Sequence, residues 1–301
     1  MTVSMRVMSA GDGYKYLLRT VAAADGDRSF STPLTRYYAE AGTPPGRWLG
    51  SGVAALGSGQ LAVGDRVSEA QLQLLMGMGR DPITGDPLGL AFPAYKSTSE
   101  RIEARIADLD STMSPGAMGD AVAQIQAEET ERETRRAVAG FDFTFSIPKS
   151  ASALWAVADA GTQALIGEAH HTAVAEVVAF MEREVAATRT GATAGDGAVA
   201  QVDVTGLVTT AFDHFDSRAG DPHLHTHVVI SNKVQTALDG KWRSLDGRPM
   251  HAAVVALSEL HEAVFADHMT RTFGVEWEAR DRGRDRNPAW AISRVPEELV
   301  A

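Results

Sequence analysis

Four histidines lie within the segment 212–233, and imidazole is the commonest metal-binding side chain in proteins. Three of them occupy alternate positions, namely His223, His225 and His227. The β-branched residues 228–230 follow, and this pattern predicts a strand on which alternate side chains share a face. His225 and His227 should therefore point to the same side of a sheet.

The fourth histidine, His214, follows a second predicted strand at 204–212. The connecting residues 215–222 are rich in turn-forming types, which predicts an antiparallel hairpin with His214 beside His225 and His227. Three neutral imidazoles on one sheet face make a metal site with open coordination positions. Four histidines compete for the three places, and His223 is the weakest candidate because it lies nearest the turn. A purely structural histidine cluster is the alternative.

An aspartate and several tyrosines are further candidates for chemistry. Phenylalanines alternate with polar residues along 141–146, which predicts a strand with one aromatic and one polar face. Asp142 lies on the polar face. Aspartate is depleted inside strands, so Asp142 suggests a function, with a solvated surface residue as the alternative. All five tyrosines precede the histidines, at Tyr14, Tyr16, Tyr37, Tyr38 and Tyr95. By themselves, the tyrosines would be interpreted as packing residues.

The composition restricts the class of protein in which this chemistry takes place. The chain has 301 residues, of which 44% are hydrophobic, and it contains no cysteine. It has no apolar stretch long enough for a membrane span and no signal peptide at its start, so we expect a cytoplasmic protein without membrane insertion. The net charge of -11 taken alone argues against a nucleic-acid partner, but much of the acid lies within 100–133.

The elements that must position these residues are mixed strands and helices with hairpins. This mixture predicts an α+β fold, in which a central antiparallel sheet carries the histidines and helices pack against it. We expect a helix over 14–24 and a helical, acidic insertion at about 65–135 within a single domain of residues 1–301. The last residues resemble the start of a helix, so we expect the N-terminal part of a longer protein.

The order of the motifs carries a family resemblance. A tyrosine-rich N-terminus is followed by the motifs FDFTFSIPKS, FDHFDSR and HLHTH. This order resembles the conjugative DNA relaxases of the His-hydrophobe-His endonuclease class, specifically the MobF family of relaxase–helicases. The likeness covers nearly the whole chain, with 65–135 as its weakest part, and implies a relaxase-like palm with extra helical segments over a DNA cleft.

The resemblance implies a role for each candidate residue. The metal ligands would be His214, His225 and His227, and Asp142 would orient a ligand or take the nucleophile's proton. The nucleophile would lie in the first tyrosine cluster, where Tyr16 is favoured over Tyr14. The family's second tyrosine pair corresponds to Tyr37 and Tyr38.

The implied activity is site- and strand-specific nicking of origin-of-transfer DNA for conjugative plasmid transfer. A tyrosine would exchange the phosphodiester for a 5′-phosphotyrosyl link, leaving a free 3′-hydroxyl. The expected cofactor is a divalent metal ion, with Mg²⁺ or Mn²⁺ preferred to Zn²⁺ or Ni²⁺. The implied partners are single-stranded origin-of-transfer DNA, a C-terminal helicase domain, the relaxosome, and secretion-channel coupling proteins.

Basic residues are candidates for DNA contacts because binding follows local positive surface rather than total charge. The candidates are Lys149, Arg218, Lys233, Lys241 and Arg243. A basic strip, Arg280, Arg282, Arg284 and Arg286, is interpreted as a solvated turn or as a further contact.

Four other functions remain open at this point. A rolling-circle replication initiator uses the same metal chemistry, but its tyrosine usually follows the histidines. A metal-dependent nuclease would use water as the nucleophile. A cupin-like or amidohydrolase-like enzyme would require further ligands, and a non-catalytic DNA-binding module would not require the histidines.

Overall fold

The computed structural model describes residues 2–18, 44–132, 135–191, 199–217, 221–281, 288–296 and 299. Tyr37, Tyr38, Arg218 and the three arginines within 282–287 lie outside these described residues. The chain divides into two compact units, which we call the main unit (Met1–Ala91 with Ala139–Ala301) and the helical unit (Phe92–Val138).

A five-stranded sheet forms the centre of the main unit. Its strands, in spatial order, are β1 (Val3–Ser9), β3 (Val138–Ser146), β7 (Pro222–Ser231), β6 (Thr209–Asp216) and β2 (Arg47–Leu49). The pairs β3–β7, β7–β6 and β6–β2 are antiparallel, and β6 and β7 form the predicted hairpin. The prediction of an α+β fold with a central antiparallel sheet that carries the histidines is therefore confirmed.

Strand β6 begins at Thr209 rather than at the predicted position 204, and Gly206 explains the difference. A Cβ atom at Gly206 would lie 2.6 Å from the backbone nitrogen of Gly52, so two backbone segments meet there closely. Gly206 also has a φ of 155°, which side-chain-bearing residues rarely adopt. The chain therefore enters the sheet only after this approach.

Five α-helices belong to the main unit in the described ranges, and two of them cover one face of the sheet. Those of the main unit are α1 (Glu69–Leu72), α4 (Lys149–Val157), α5 (Ala160–Glu184), α6 (Gly247–Ala252) and α7 (Val254–Phe273). The ring centroid of His261 on α7 lies 5.3 Å from that of Phe145 on β3. His170 on α5 forms a hydrogen bond with Thr226 on β7. Phe145 and Thr226 are paired in register, so α5 and α7 lie on the same side, which we call the back face.

The other strands of the described ranges pair as ribbons. They are β4 (Ala187–Gly191) with β5 (Val199–Asp203), β8 (Lys233–Gln235) with β9 (Trp242–Ser244), and β10 (Trp277–Arg280) with β11 (Ala289–Ile292). The core around α4, α5, α7 and β11 contains large buried side chains, including Trp155, Ile166, Phe265, Met269 and Ile292.

The helical unit contains α2 (Thr98–Ala107) and α3 (Pro115–Glu131). Ser97 caps α2 through a capping box with Glu100, and Ser114 caps α3, which begins with Pro115. Glu129 on α3 is buried and accepts hydrogen bonds from Arg101 at 2.6 Å and from Arg105 at 3.1 Å. This buried carboxylate joins the two helices. Residues 65–91 of the expected insertion belong to the main unit.

The segment that carries Tyr14 and Tyr16 differs from its prediction. Asp12–Leu18 forms a 3₁₀-helix instead of the start of an α-helix. A π-helical turn, Gln73–Gly77, lies beside it, and the Gly11 backbone nitrogen donates to the Gly77 carbonyl at 3.1 Å. The tighter winding comes from this tertiary neighbour, which residue-by-residue periodicity does not reveal.

None of the helices in the described ranges is both long enough and apolar enough to cross a membrane.

Candidate metal centre and its tyrosine

Three histidines meet on the face of the sheet opposite α5 and α7. His214 on β6 is the direct partner of His225 on β7, and His227 follows two residues later on the same face. The ring centroids lie 4.8–5.3 Å apart (His214–His227 4.8 Å, His225–His227 5.2 Å, His214–His225 5.3 Å). One ring nitrogen of each histidine lies within 4.8 Å of the others, which is a spacing that a shared metal ion can close.

The Nδ1 atoms of two of these rings already have hydrogen-bond partners. His225 Nδ1 lies 2.8 Å from the backbone carbonyl of His223, and His227 Nδ1 lies 2.9 Å from both carboxylate oxygens of Asp142. Because a carbonyl and a carboxylate only accept, each Nδ1 carries the proton and each Nε2 keeps its lone pair for a ligand. His223 thus contributes its backbone carbonyl to the site.

His214 has a buried ring nitrogen with which no group among the described residues forms a hydrogen bond. Its Nε2 finds no hydrogen-bond partner among the described residues, although buried nitrogens are normally satisfied. A cation coordinated by the three Nε2 atoms would satisfy it, so these residues fit a divalent metal ion.

Burial keeps the histidines ready to bind. It lowers the pKa of His214 to about 4 and that of His225 to about 4, because desolvation disfavours the charged imidazolium. Both rings are consequently neutral at pH 7, and a metal ion need not displace protons from them.

Asp142 on β3 connects the histidines to a tyrosine. It is 2% exposed, and its Oδ2 accepts a hydrogen bond from the Tyr16 hydroxyl while the same carboxylate accepts from His227. The Tyr16 ring lies 5.9 Å from the His227 ring in an edge-on arrangement. Burial, and then the charge of Asp142, raise the pKa of Tyr16. The phenol is therefore protonated at rest and already directed at a base.

Thr144 is a site residue that the sequence reasoning did not single out. Its Oγ1 lies 3.2 Å from His227 Nδ1, and Thr144 pairs directly with His227 across β3 and β7. The period-two alternation that indicated Asp142 also places Thr144 on the polar face, so the signal was present in the sequence.

The two candidate tyrosines point in different directions. In a 3₁₀-helix, residues two apart lie about 240° around the axis, so only one of them can face the histidines. Tyr14 is 2% exposed and packs beside Gly77 of the π-helical turn. The structure brings Tyr16, and not Tyr14, to Asp142 and His227.

A buried polar network lies behind the histidines on the back face. Asp213 Oδ1 accepts from Thr226 Oγ1 at 2.6 Å, while its Oδ2 contacts Arg47 at 2.6 Å and His171 at 3.0 Å. Thr226 in turn lies 2.9 Å from His170 Nε2. Burial alone would raise the pKa of Asp213, but His171 and Arg47 outweigh it and hold the pKa below the ordinary range.

This network joins β2, β6, β7 and α5 directly beneath the histidine-bearing hairpin, since Asp213 precedes His214 and Thr226 lies between His225 and His227. The sequence patterns assigned no role to Asp213, His170 or His171. No local pattern could have shown a partner as distant in sequence as Arg47.

The predicted DNA contacts Lys233, Lys241 and Arg243 line one cleft, whereas Lys149 is not among its lining residues, and these side chains differ in exposure. Lys241 is exposed and lies 3.9 Å from Asp239, whereas Lys149 is half-buried and lies 4.0 Å from Asp221. Arg243 forms a two-pronged ion pair with Asp239.

Lys233 is 3% exposed, and its Nζ donates to the Leu90 carbonyl. Its ammonium group is thus not at the surface, where a DNA contact requires it.

Comparisons with known proteins agree with the family resemblance that the order of the motifs indicated. The family model described as TrwC relaxase matches residues 10–301. The multifunctional conjugation protein TraI of Escherichia coli is 40% identical over 106 residues, which are 35% of this chain, and the TraI of strain K12 is 38% identical over 106 residues. The matched part spans about 6% of the length of these relatives.

Solved structures show the same fold over the whole chain. The copper-bound conjugative relaxase TrwC in complex with oriT DNA has a TM-score of 0.61 and 24% identity, covering 99% of this chain and 78% of that chain. TrwC with a 27-mer DNA comprising the recognition hairpin and the cleavage site has a TM-score of 0.57 and 22% identity, covering 99% and 77%. Since the family match extends over nearly all residues and the motif order predicted it, the chain belongs to the TrwC relaxase family.

Proposed function

We propose that this chain nicks one strand of origin-of-transfer DNA by tyrosine transesterification, as the first step of conjugative plasmid transfer. The observation that carries the proposal is the shared carboxylate: Asp142 accepts hydrogen bonds from both Tyr16 and His227. A nucleophile, its base and a metal ligand thus meet at one residue.

Each residue has a defined task in this proposal. His214, His225 and His227 hold a divalent cation through their free nitrogens, and the His223 carbonyl and Asp142 orient two of these rings. When bound, such a cation would supply the positive charge that neutralises the negative charge developing on the scissile phosphate. We propose Mg²⁺ or Mn²⁺ as the ion that supports the reaction.

The reaction exchanges one phosphodiester bond for another, and water is not the nucleophile. The Tyr16 oxygen attacks phosphorus, and its proton passes to Asp142, which already accepts that hydroxyl as a hydrogen-bond donor. The bond from phosphorus to the 3′ oxygen breaks, and this oxygen takes up one proton from solvent, which offsets the one passed to Asp142, and leaves as the 3′-hydroxyl. The phosphate remains esterified to Tyr16 and to the 5′ oxygen of the nucleotide on the 3′ side of the cut. Reversing the step religates the strand.

The proposed DNA contacts follow the exposure of the basic residues. Lys149 and Lys241 have surface ammonium groups, so we propose that they contact phosphates, as Arg218 would in the segment outside the described residues. Arg243 would contact a phosphate only by giving up its ion pair with Asp239. Lys233 would have to leave the Leu90 carbonyl first.

The larger assembly is also part of the proposal. A helicase domain, the other relaxosome proteins and a secretion-channel coupling protein would act with this chain during transfer. A cytoplasmic location follows from the proposed reaction, because plasmid DNA lies in that compartment.

A covalent-trapping experiment tests the function. The protein is incubated with a single-stranded oligonucleotide of its own transfer origin, with Mg²⁺, Mn²⁺ or a chelator, and run on a denaturing gel. We expect a protein–DNA adduct that requires the metal and disappears in His225→Ala. The matched control His223→Ala keeps its backbone carbonyl and should retain the adduct.

Two outcomes would contradict this proposal. Metal-dependent cleavage without any adduct would indicate a nuclease that uses water. Binding of origin DNA without cleavage at any metal concentration would indicate a DNA-binding module.

A further inference from the structure

The hairpin that carries the histidines loses its regular register immediately beyond the metal site. Strand β6 pairs with β7 in one register from Thr209 to His214, the partner of His225. The register then shifts before Asp216 pairs with Pro222. A slip of one residue turns every side chain of a strand to the other face, so such a slip at this end would separate His214 from the other two ligands. The site therefore requires a contact that fixes the register here.

A cross-strand hydrogen bond on the back face provides this contact. Asp213 and Thr226 are direct partners in the ladder, one position before the pair of His214 with His225. The Thr226 hydroxyl donates to Asp213 Oδ1 at 2.6 Å, and both side chains are buried. A shift of one strand by one residue would place these two side chains on opposite faces. The bond thus forms only in the register that aligns the histidines.

Helix α5 and strand β2 hold both partners of this bond from outside the hairpin. Two neighbouring residues of α5 contact one strand each, since His171 lies 3.0 Å from Asp213 Oδ2 and His170 Nε2 lies 2.9 Å from Thr226 Oγ1. Arg47 on β2 donates to Asp213 Oδ2 at 2.6 Å. Because three groups on two further elements hold the bond, the hairpin cannot slip without breaking several contacts together.

The position of His214 depends on this register more than the positions of the other two ligands do. The rings of His225 and His227 are oriented by hydrogen bonds from Nδ1 to a backbone carbonyl and to a carboxylate. Among the described residues, no such hydrogen bond holds the His214 ring. The place of His214 therefore follows from its backbone, which continues directly from Asp213.

We propose that Asp213 and Thr226 are positioning residues for the metal site. From the opposite face of the sheet, their hydrogen bond fixes the register of the hairpin and thereby the place of His214 beside His225 and His227. Both side chains point away from the histidines, so they act through His214. This inference rests on the proposed metal-dependent reaction, and it assigns to the two residues the affinity for the ion rather than the attack on phosphorus.

Calorimetric titration with Mn²⁺ tests the proposal on two variants of Thr226. Thr226→Val has nearly the same shape but no hydroxyl, and it should bind Mn²⁺ about tenfold more weakly, as is typical when the support of a metal ligand is removed. Thr226→Ser keeps the hydroxyl and should bind Mn²⁺ nearly as tightly as the unaltered protein. At saturating Mn²⁺, Thr226→Val should form the DNA adduct at nearly the unaltered rate, because Tyr16 and Asp142 are unchanged.

Two further measurements separate positioning from general destabilisation. Ile166 on α5 is fully buried in the core, and Ile166→Val removes one methyl group there. This control should unfold at a lower urea concentration and keep its Mn²⁺ affinity. In the metal-free protein, the imidazole nitrogen resonances of His214 should shift in Thr226→Val, whereas those of His227 should stay in place because Asp142 holds that ring.

Several results would overturn the proposal. Folded Thr226→Val that binds Mn²⁺ within about twofold of the unaltered protein would do so, as would an equal loss of affinity in Ile166→Val. If Thr226→Val does not fold, His171→Ala decides, because it removes one support of Asp213 at a ring that is 42% exposed. Unchanged Mn²⁺ affinity in His171→Ala would then contradict the proposal, and weaker binding would support it.

The failure of this inference is distinguishable from the failure of the proposed function. An unaltered protein that binds no Mn²⁺ would overturn the metal site itself, and this inference with it. An unaltered protein that binds Mn²⁺ and forms the adduct, with variants of Thr226 that bind the ion equally well, would overturn this inference alone.

Discussion

Replacing Asp142 by asparagine should separate the two hydrogen bonds on which the site depends. Both donors, His227 Nδ1 at 2.9 Å and the Tyr16 hydroxyl, use the same carboxylate. Asparagine has nearly the same shape but only one acceptor oxygen. Its amide N–H group would replace one of the two oxygens that lie 2.9 Å from the protonated His227 Nδ1, and the remaining oxygen would carry no charge, so the charge-assisted hydrogen bonds of the site are lost.

The size of the effect follows from the kind of bond that is lost. A hydrogen bond to a charged group contributes about 1.5–3 kcal/mol. Loss of the partner that orients a metal-binding histidine typically lowers metal affinity about 10- to 100-fold. Removing a positioned base costs a further factor of about 10² to 10⁴ in rate. We therefore expect Asp142→Asn to bind Mn²⁺ about 10- to 100-fold more weakly and to form adduct at least about 100-fold more slowly at saturating metal.

Calorimetric titration gives the metal affinity, and single-turnover adduct formation gives the rate. Thr144→Val is the matched control on the same strand, since Thr144 lies 3.2 Å from His227 Nδ1 and no hydrogen bond joins it to Tyr16 among the described residues. It should change the rate at saturating metal only slightly. The reasoning is refuted if Asp142→Asn keeps both affinity and rate within about twofold. If the variant unfolds, Asp142 has a structural role.

Three further predictions concern the histidines and the network behind them. His225→Ala should abolish binding of one Mn²⁺ per chain in a titration, while His223→Ala leaves it; equal loss in both would contradict the ligand set. Asp213→Ala should lower the free energy of unfolding by about 3–5 kcal/mol in urea, because it breaks a buried ion pair, and a loss below about 1 kcal/mol would contradict that role. Burial lowers the pKa of His170 and lowers that of His261 to about 4, so between pH 6.5 and about 4 only the unfolded chain takes up their protons. As the pH is lowered through this window, the free energy of unfolding should therefore decrease, by up to about 1.4 kcal/mol per pH unit for each histidine. A free energy of unfolding, measured in urea, that does not change with pH would contradict this prediction.

The part of the site that the sequence predicted follows from strand geometry. Alternation along 141–146 and 223–227 determines which side chains share a face, and the turn-forming residues between 214 and 223 imply the hairpin. These local rules were sufficient to place Asp142 and the three histidines together. The helix expected to begin at Tyr14 was assigned the wrong type, because Asp12–Leu18 forms a 3₁₀-helix.

The remainder depends on contacts between distant segments. The π-helical turn at Gln73–Gly77 packs against the tyrosine-bearing helix, and nothing within residues 12–18 indicates it. The burial of Lys233 also depends on tertiary structure. A lysine is expected at the surface, and the Leu90 carbonyl that accepts a hydrogen bond from its ammonium group comes from a distant segment. The Asp213 network requires Arg47 from a strand far upstream.

Peptide mapping of the covalent adduct tests the central claim, that Tyr16 is the nucleophile, most directly. After reaction with origin DNA and nuclease trimming, mass spectrometry locates the nucleotide that remains on the protein. We predict that it lies on Tyr16, that Tyr16→Phe binds the DNA but forms no adduct, and that Tyr14→Phe still forms it. A nucleotide on Tyr14 would contradict the geometry of the 3₁₀-helix, and strand cleavage with none of the five tyrosines modified would contradict the relaxase mechanism itself.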